Sequence, residues 1–190
     1  MAKTKSDISN NAIRIFLQKV GKFYDEIRGF SEFKPTLLQK IEILKFFEGC
    51  CCYCSRGINI GSNMTEDHLI PMNKESLGLH AWGNVVPCCR ACNAKKHSKH
   101  WETYLEILYG SDDCVFPKTK IKAFLDKYRY NPNLELGVIA NNLYQDVGAV
   151  AMTLIDLRFK QAEAVITKVH TDELSLLGAP HNNSFNRSAN

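Results

Sequence analysis

The chain has 190 residues, 45% of them hydrophobic, with a formal charge of +4 and a pI of about 8.6. That length holds one ordinary core or a small domain with additions at both ends, and the mild basicity permits a nucleic-acid partner without requiring one. No apolar run reaches the roughly 18 residues of a membrane span, and the polar start MAKTKSDISNN leads into no signal-peptide block, so a cytoplasmic protein is expected.

In chain order, residues 8–28 read as an amphipathic helix, with Ile13, Phe16, Leu17, Val20, Tyr24 and Ile27 at helical spacing. Pro35 opens a second helix carrying Leu37, Leu38, Ile41 and Leu44 on one side, and Gly49 ends it. From Cys50 to about His100 the texture changes: cysteine, glycine, asparagine and proline are frequent and apolar runs are short. HLIP and NVVPC read as short strands, and CNAKKHSKHWETYLEILY as one helix starting near Asn93, with an apolar face at Trp101, Tyr104, Leu105 and Leu108. After Gly110, Ile121, Phe124, Leu125 and Tyr128 form a helix face, and Asn131–Pro132 supplies an N-cap and first-turn signal for another helix. A last helix is expected across Val147, Val150, Leu154 and Leu157, and the tail GAPHNNSFNRSAN is expected to be disordered.

The eight cysteines carry the first chemical signal. In a reducing compartment, closely spaced pairs point to metal instead of disulfides. Cys51 with Cys54 and Cys89 with Cys92 are C-x-x-C pairs, and two such pairs complete a tetrahedral structural zinc site. Zinc held by four thiolates keeps no open position, so that ion is not itself catalytic. The registry is not unique: Cys50, Cys52 and Cys88 adjoin the chosen ligands and offer other pairs, such as Cys50 with Cys54. The competing reading of Cys50, Cys52, Cys88 and Cys114 is small buried hydrophobes or free thiols.

Asp67 and His68 alone say little, but Asn84 and Asn93 follow in order with Cys89 and Cys92 interleaved. With the first pair ending at Cys54, EDHLIP at 66–71 and GNVVPCCRACNAKK at 83–96, the stretch from Cys51 to about Trp101 resembles the HNH endonuclease family in its four-cysteine zinc-binding variant. The resemblance implies an α+β fold with a zinc-stabilised ββα-metal core: a two-stranded hairpin and a helix clasping one divalent ion, flanked here by N- and C-terminal helices. The expected division is 1–48 helical, 49–109 nuclease core, 110–177 helical and 178–190 tail. It also implies roles. Asp67 and His68 lie on the first strand, Asn84 falls in the hairpin's loop or second strand, and Asn93 begins the helix. His68 is the general base, Asp67 and Asn93 hold Mg²⁺ or Mn²⁺, and Asn84 bonds across the loop to keep His68 in aim. The family registry selects Cys89 and Cys92 as ligands and puts Cys88 in an apolar position. His97, four residues after Asn93, is either a further ligand of the catalytic metal or a solvent-facing histidine.

Arg90, Lys95, Lys96 and Lys99 put positive charge beside this site and are the expected DNA phosphate contacts, although such a run is also a common solvated face. His80 and His100 are expected on the surface or near DNA, and His170 and His181 carry no pattern. The leading reading is a stand-alone, restriction-type, metal-dependent endonuclease acting on double-stranded DNA and leaving 5′-phosphate and 3′-hydroxyl ends. Cutting both strands with one site per chain favours a homodimer. A non-catalytic zinc-stabilised nucleic-acid-binding module and a nicking or homing nuclease of a mobile element are the alternatives.

Overall fold

A computed structural model describes residues 5–110, 115–131 and 135–177, with side chains for 6–110, 115–131 and 135–168. Cys114, Pro132, His181 and the expected disordered tail lie outside the described residues, as does the side chain of His170. The elements are α1 (Lys5–Ile27), α2 (Leu37–Phe46), β1 (Met64–His68), β2 (Val85–Cys89), α3 (Arg90–Lys96), α4 (Trp101–Tyr109), α5 (Val115–Lys127) and α6 (Gly137–Leu177). The expected α+β class is thus the observed one. The chain divides into two units, Met1–Gly148 and Ala149–Asn190. In the second, no side chain from Ala149 to Lys168 is buried.

α1 follows its periodicity. Ser9, Ile13, Leu17 and Tyr24 are buried, while Ile27, expected on the same stripe, is exposed because the stripe ends where the chain turns at Arg28. Gly21 lies on that stripe by necessity: a Cβ there would come within 2.4 Å of the His80 carbonyl oxygen. α1 therefore packs its backbone directly against the loop between the two strands.

α2 departs from its expected face. Its N-cap is Thr36, whose hydroxyl accepts from the Gln39 amide at 3.4 Å, and Pro35 stands just outside. Leu37, Leu38 and Ile41 are exposed, and Ile43 is the buried residue. The helix is anchored by its C-terminal end, where Ile43 and Phe47 enter the core with Leu44 partly covered. Its flank is tied down by Lys40 to Glu66 at 2.8 Å and by Tyr128 donating to Glu42 at 2.7 Å.

β1 and β2 are antiparallel with His68 opposite Val85 and Met64 opposite Cys89. Of the expected strand HLIP only His68 is in the ladder. Beyond it Leu69 still donates to the Asn84 carbonyl at 2.8 Å, after which Ile70 and Pro71 leave the sheet.

The single helix expected from Asn93 is two helices. α3 begins at Arg90 because the Cys89 sulfur caps it, accepting from the Cys92 amide at 3.5 Å, so Asn93 sits inside the helix. It stops at His97, whose φ is +50°. The Trp101 amide then donates to the Leu69 carbonyl at 3.0 Å, pulling the chain into a new direction, and His100 caps α4. α6 starts at Gly137, beyond the expected signal; the Asn131 amide instead donates to the Tyr24 hydroxyl at 3.1 Å.

Two apolar clusters result. One joins Phe33, Ile43, Phe47, the cysteine region, β2, Trp101, Tyr104 and the α5 face Ile121–Phe124–Tyr128. The other joins α1 through Ile13, Leu17 and Tyr24 to Leu79, Ala81, Tyr130 and Ala140. A buried ion pair links them. Asp25 Oδ1 receives Arg28 at 2.5 Å, while the carboxylate also accepts the Phe33 and Trp82 amides at 3.1 Å each. The Arg28 guanidinium donates onward to the Tyr128 and Trp82 carbonyls and lies 4.0 Å from the Tyr24 ring centre.

Candidate metal centre and nuclease cleft

Three segments bring the cysteines together. Cys51 and Cys54 come from the tight turn closed by the Cys51 amide on the Arg56 carbonyl at 2.8 Å; Cys89 ends β2 and Cys92 lies in the first turn of α3. Their four sulfurs all lie within 4.8 Å of one another. Zn–S bonds of about 2.3 Å in a tetrahedron put sulfurs about 3.8 Å apart, and Cys54 and Cys89 sulfurs are 3.8 Å apart. The surroundings fit a thiolate cluster as well. Among the described residues the buried Tyr104 hydroxyl lacks a hydrogen-bond partner of ordinary geometry; it lies beside the Cys92 sulfur, which as a thiolate would accept a hydrogen bond from it. The expected four ligands are the ones that cluster, and a structural zinc ion is what their geometry suits. Cys52 and Cys88 are fully buried, and burial pushes both thiols well above their ordinary range, which keeps them neutral. Cys50 is only partly covered, its sulfur 3.6 Å from the Glu48 carbonyl oxygen.

The cysteine turn also reaches the other half of the site. Tyr53, enclosed between Cys52 and Cys54, donates its hydroxyl to Asp67 Oδ2 at 2.7 Å. Burial pushes the Tyr53 phenol well above its usual value, so the proton stays on tyrosine and the carboxylate is the acceptor. Lys96 meets the same oxygen at 3.0 Å and donates to the His68 carbonyl at 2.7 Å. Both contacts fall on Oδ2, and among the described residues Oδ1 has no hydrogen bond. Lys96 is completely buried, so the expectation of a phosphate contact there is corrected. A fully desolvated ammonium cannot meet a DNA backbone; its partners sit on β1, and it locks α3 onto that strand.

Asp67, His68, Asn93 and His97 line one open cleft of about 530 Å³, together with Arg14, Glu66, Pro71, Met72, Asn73 and Ser98. Asn93 donates through Nδ2 to Thr65 Oγ1 at 3.2 Å, which orients the amide; among the described residues its Oδ1 has no hydrogen bond. Asp67 Oδ1 and Asn93 Oδ1 are hard oxygens on two rigid elements, a donor set that suits Mg²⁺ or Mn²⁺. His97 joins them through the break after α3, not through helical periodicity; its Nδ1 lies 3.1 Å from Ser98 Oγ. Asn84 is fully buried outside the cleft, directly before β2. Its side chain accepts from the Ile70 amide at 2.8 Å and donates to the Ile70 and Leu79 carbonyls at 3.0 and 2.8 Å. Those bonds pin the chain two residues after His68.

His68 Nε2 is 3.0 Å from His80 Nδ1. Burial, then His80, Lys96 and Arg14, pull the His68 pKa down to about 3, so this imidazole is neutral at physiological pH. His80, expected on the surface or near DNA, is half-buried against Phe33 at 5.4 Å between ring centres, and burial lowers its pKa too. His100 caps α4, its ring 3.9 Å from Glu102.

Of the other expected phosphate contacts, Lys95 and Lys99 are exposed on α3 and just beyond it. Arg90 is exposed, donates to the Ser62 carbonyl at 2.9 Å, and sits with Lys40 and Glu66 around a separate, smaller cavity. Among the described residues, the Lys or Arg side chain that lines the cleft is Arg14 of α1. Sequence reasoning missed Arg14, Tyr53 and His80. Tyr53 alone had a local signal, an aromatic enclosed by two cysteines.

A family model described as HNH endonuclease matches residues 51–99, from the first zinc cysteine to the turn between α3 and α4. No match exists among curated proteins. The matched segment holds all four clustered cysteines together with Asp67, His68, Asn84 and Asn93. The resemblance read from the sequence is therefore borne out in its zinc-binding form, and with it a nuclease-type function. No helix among the described residues is long and apolar enough to cross a membrane.

Proposed function

We propose that this chain, whose centre matches the HNH endonucleases, is a metal-dependent endonuclease of the restriction kind that hydrolyses double-stranded DNA. One observation carries the reading: a neutral imidazole and two hard oxygen donors, from β1 and α3, line the same open cleft.

In this reading Asp67 Oδ1 and Asn93 Oδ1 hold Mg²⁺ or Mn²⁺, with His97 within the same cleft as a further ligand. The ion supplies positive charge for the scissile phosphate and for the leaving 3′-oxygen. His68 takes the proton of the attacking water, a task that needs the neutral ring its burial maintains. Lys96 and Tyr53 hold the Asp67 carboxylate from the far side, so its free oxygen keeps one direction. Asn84 fixes the backbone that follows His68. Arg14, Lys95, Lys99 and Arg90 supply phosphate contacts, which give affinity without sequence choice. The products are 5′-phosphate and 3′-hydroxyl ends. Acting on both strands, the protein works as a homodimer in the cytoplasm.

Incubating zinc-loaded protein with plasmid and Mg²⁺ or Mn²⁺ tests this directly. Nicking or linearisation is expected, and His68→Ala should lower it by about 10²–10⁴-fold. Metal-loaded protein that retards DNA on a gel yet never cuts it would make the chain a binding module. Cut-site mapping on modified and unmodified DNA separates a restriction enzyme from a nicking or homing nuclease.

A further inference from the structure

His68 makes one side-chain contact besides those that face the cleft. Its Nε2 faces His80 Nδ1 at 3.0 Å, with the ring centres 5.3 Å apart. Two neutral imidazoles in such a contact share one proton, so one ring donates and the other accepts. Among the described residues no hydrogen bond engages His68 Nδ1, while the ring itself lines the cleft.

We propose that His80 is a positioning residue for His68: its Nδ1 accepts the Nε2–H of His68 and fixes the tautomer in which Nδ1 is the proton acceptor. This rests on the general-base role given to His68 above. The direction of the bond follows from the role given to His68: for its unbonded Nδ1 to take a proton, the ring must already carry one on Nε2, which leaves His80 Nδ1 as the acceptor. His80 is itself held firmly. Phe33 meets its ring edge-on, Gly21 of α1 packs against its backbone, and Asn84 binds the carbonyl of Leu79 just before it. The N-terminal segment thereby helps aim the base, although it contributes no atom to the proton transfer.

The step balances without further reagents. A water O–H bond breaks as its proton moves to His68 Nδ1, the oxygen bonds phosphorus, and the P–O3′ bond breaks. The leaving oxygen is protonated from solvent. The imidazolium so formed keeps its Nε2–H on His80, whose lone pair stabilises the new charge.

The test uses the full-length, zinc-loaded protein with His80→Ala and His80→Asn, the asparagine oxygen standing close to where Nδ1 was. Steady-state plasmid cleavage with Mg²⁺ and the long-range ¹⁵N spectrum of His68 are the readouts. His80→Ala should lower kcat about 10–100-fold with KM, zinc content and Tm unchanged. His80→Asn should recover most of that loss. The spectrum should show His68 protonated at Nε2 in wild type and His80→Asn, and a mixture of tautomers in His80→Ala. Wild-type rates in His80→Ala, or a wild-type His68 protonated at Nδ1, would overturn the proposal. If the wild-type protein cuts no DNA, the endonuclease reading fails separately, and the tautomer spectrum still decides the His68–His80 bond. Should His80→Ala fail to fold, the wild-type spectrum and the His80→Asn rate decide.

Discussion

Lys96 illustrates how residue type and position can mislead. It stands in a run of lysines and histidines that reads as a phosphate-binding face, yet it alone is fully enclosed, between Asp67 and the His68 carbonyl. Removing it leaves a buried carboxylate short of its cation, a loss of about 3–5 kcal/mol. Lys96→Ala should therefore lower the urea midpoint strongly, whereas Lys95→Ala should leave it unchanged; equal, small effects would contradict the burial. His68 gives a second prediction at this scale. Its pKa falls from 6.5 to about 3 in the fold, chiefly through burial. Between those values the unfolded chain binds a proton that the folded chain does not, so stability is full above about pH 6.5 and falls as the pH drops towards 3. Urea unfolding from pH 7 to 4 should show a shallower loss in His68→Gln than in wild type, and parallel slopes would contradict it.

At the scale of elements, the cysteine turn, the hairpin and α3 form one device. The turn places Tyr53 on Asp67, β2 supplies Cys89, and that same sulfur caps the helix carrying Asn93 and Lys96. Zinc binding is then folding energy for the cleft as well as for the clamp. Cys92→Ala, or chelation of the wild type, should release zinc and lower the Tm sharply with loss of the near-UV signal of Tyr53 and Tyr104; a zinc-free protein of unchanged Tm would refute the assignment. Much of this device was legible in the sequence, because ligand pairs at two-residue spacing and the order of Asp67, His68, Asn84 and Asn93 are local or ordered signals. The rest depended on contacts distant in sequence. Asp67 sits 14 residues from Tyr53 and His68 sits 12 from His80, and no periodicity connects them. The helix start at Arg90 was missed because its cap is a cysteine sulfur, and the break at His97 because the following residue that matters, Trp101, is fixed by Leu69.

On the scale of the whole molecule, the N-terminal helix packs into the same unit as the hairpin and α3. α1 builds the second apolar cluster with Leu79, Ala81 and Tyr130, lays Gly21 on the His80 backbone and reaches the cleft with Arg14. The buried Asp25–Arg28 pair fastens its end to the segments at 33, 82 and 128, which no local pattern announced. The apolar side chains that α2 presents to solvent, Leu37, Leu38 and Ile41, belong to the same unit but not to its core. The proposed function requires β1 and α3 to build one metal-dependent cutting site with His68 as its base. It is tested most directly by supercoiled-plasmid cleavage with zinc-loaded wild type and His68→Ala, each with Mg²⁺ and with EDTA. Nicked or linear DNA is expected from the wild type with Mg²⁺ only, with a loss of at least about 10²-fold in the variant; cleavage by His68→Ala at the wild-type rate would rule the proposal out.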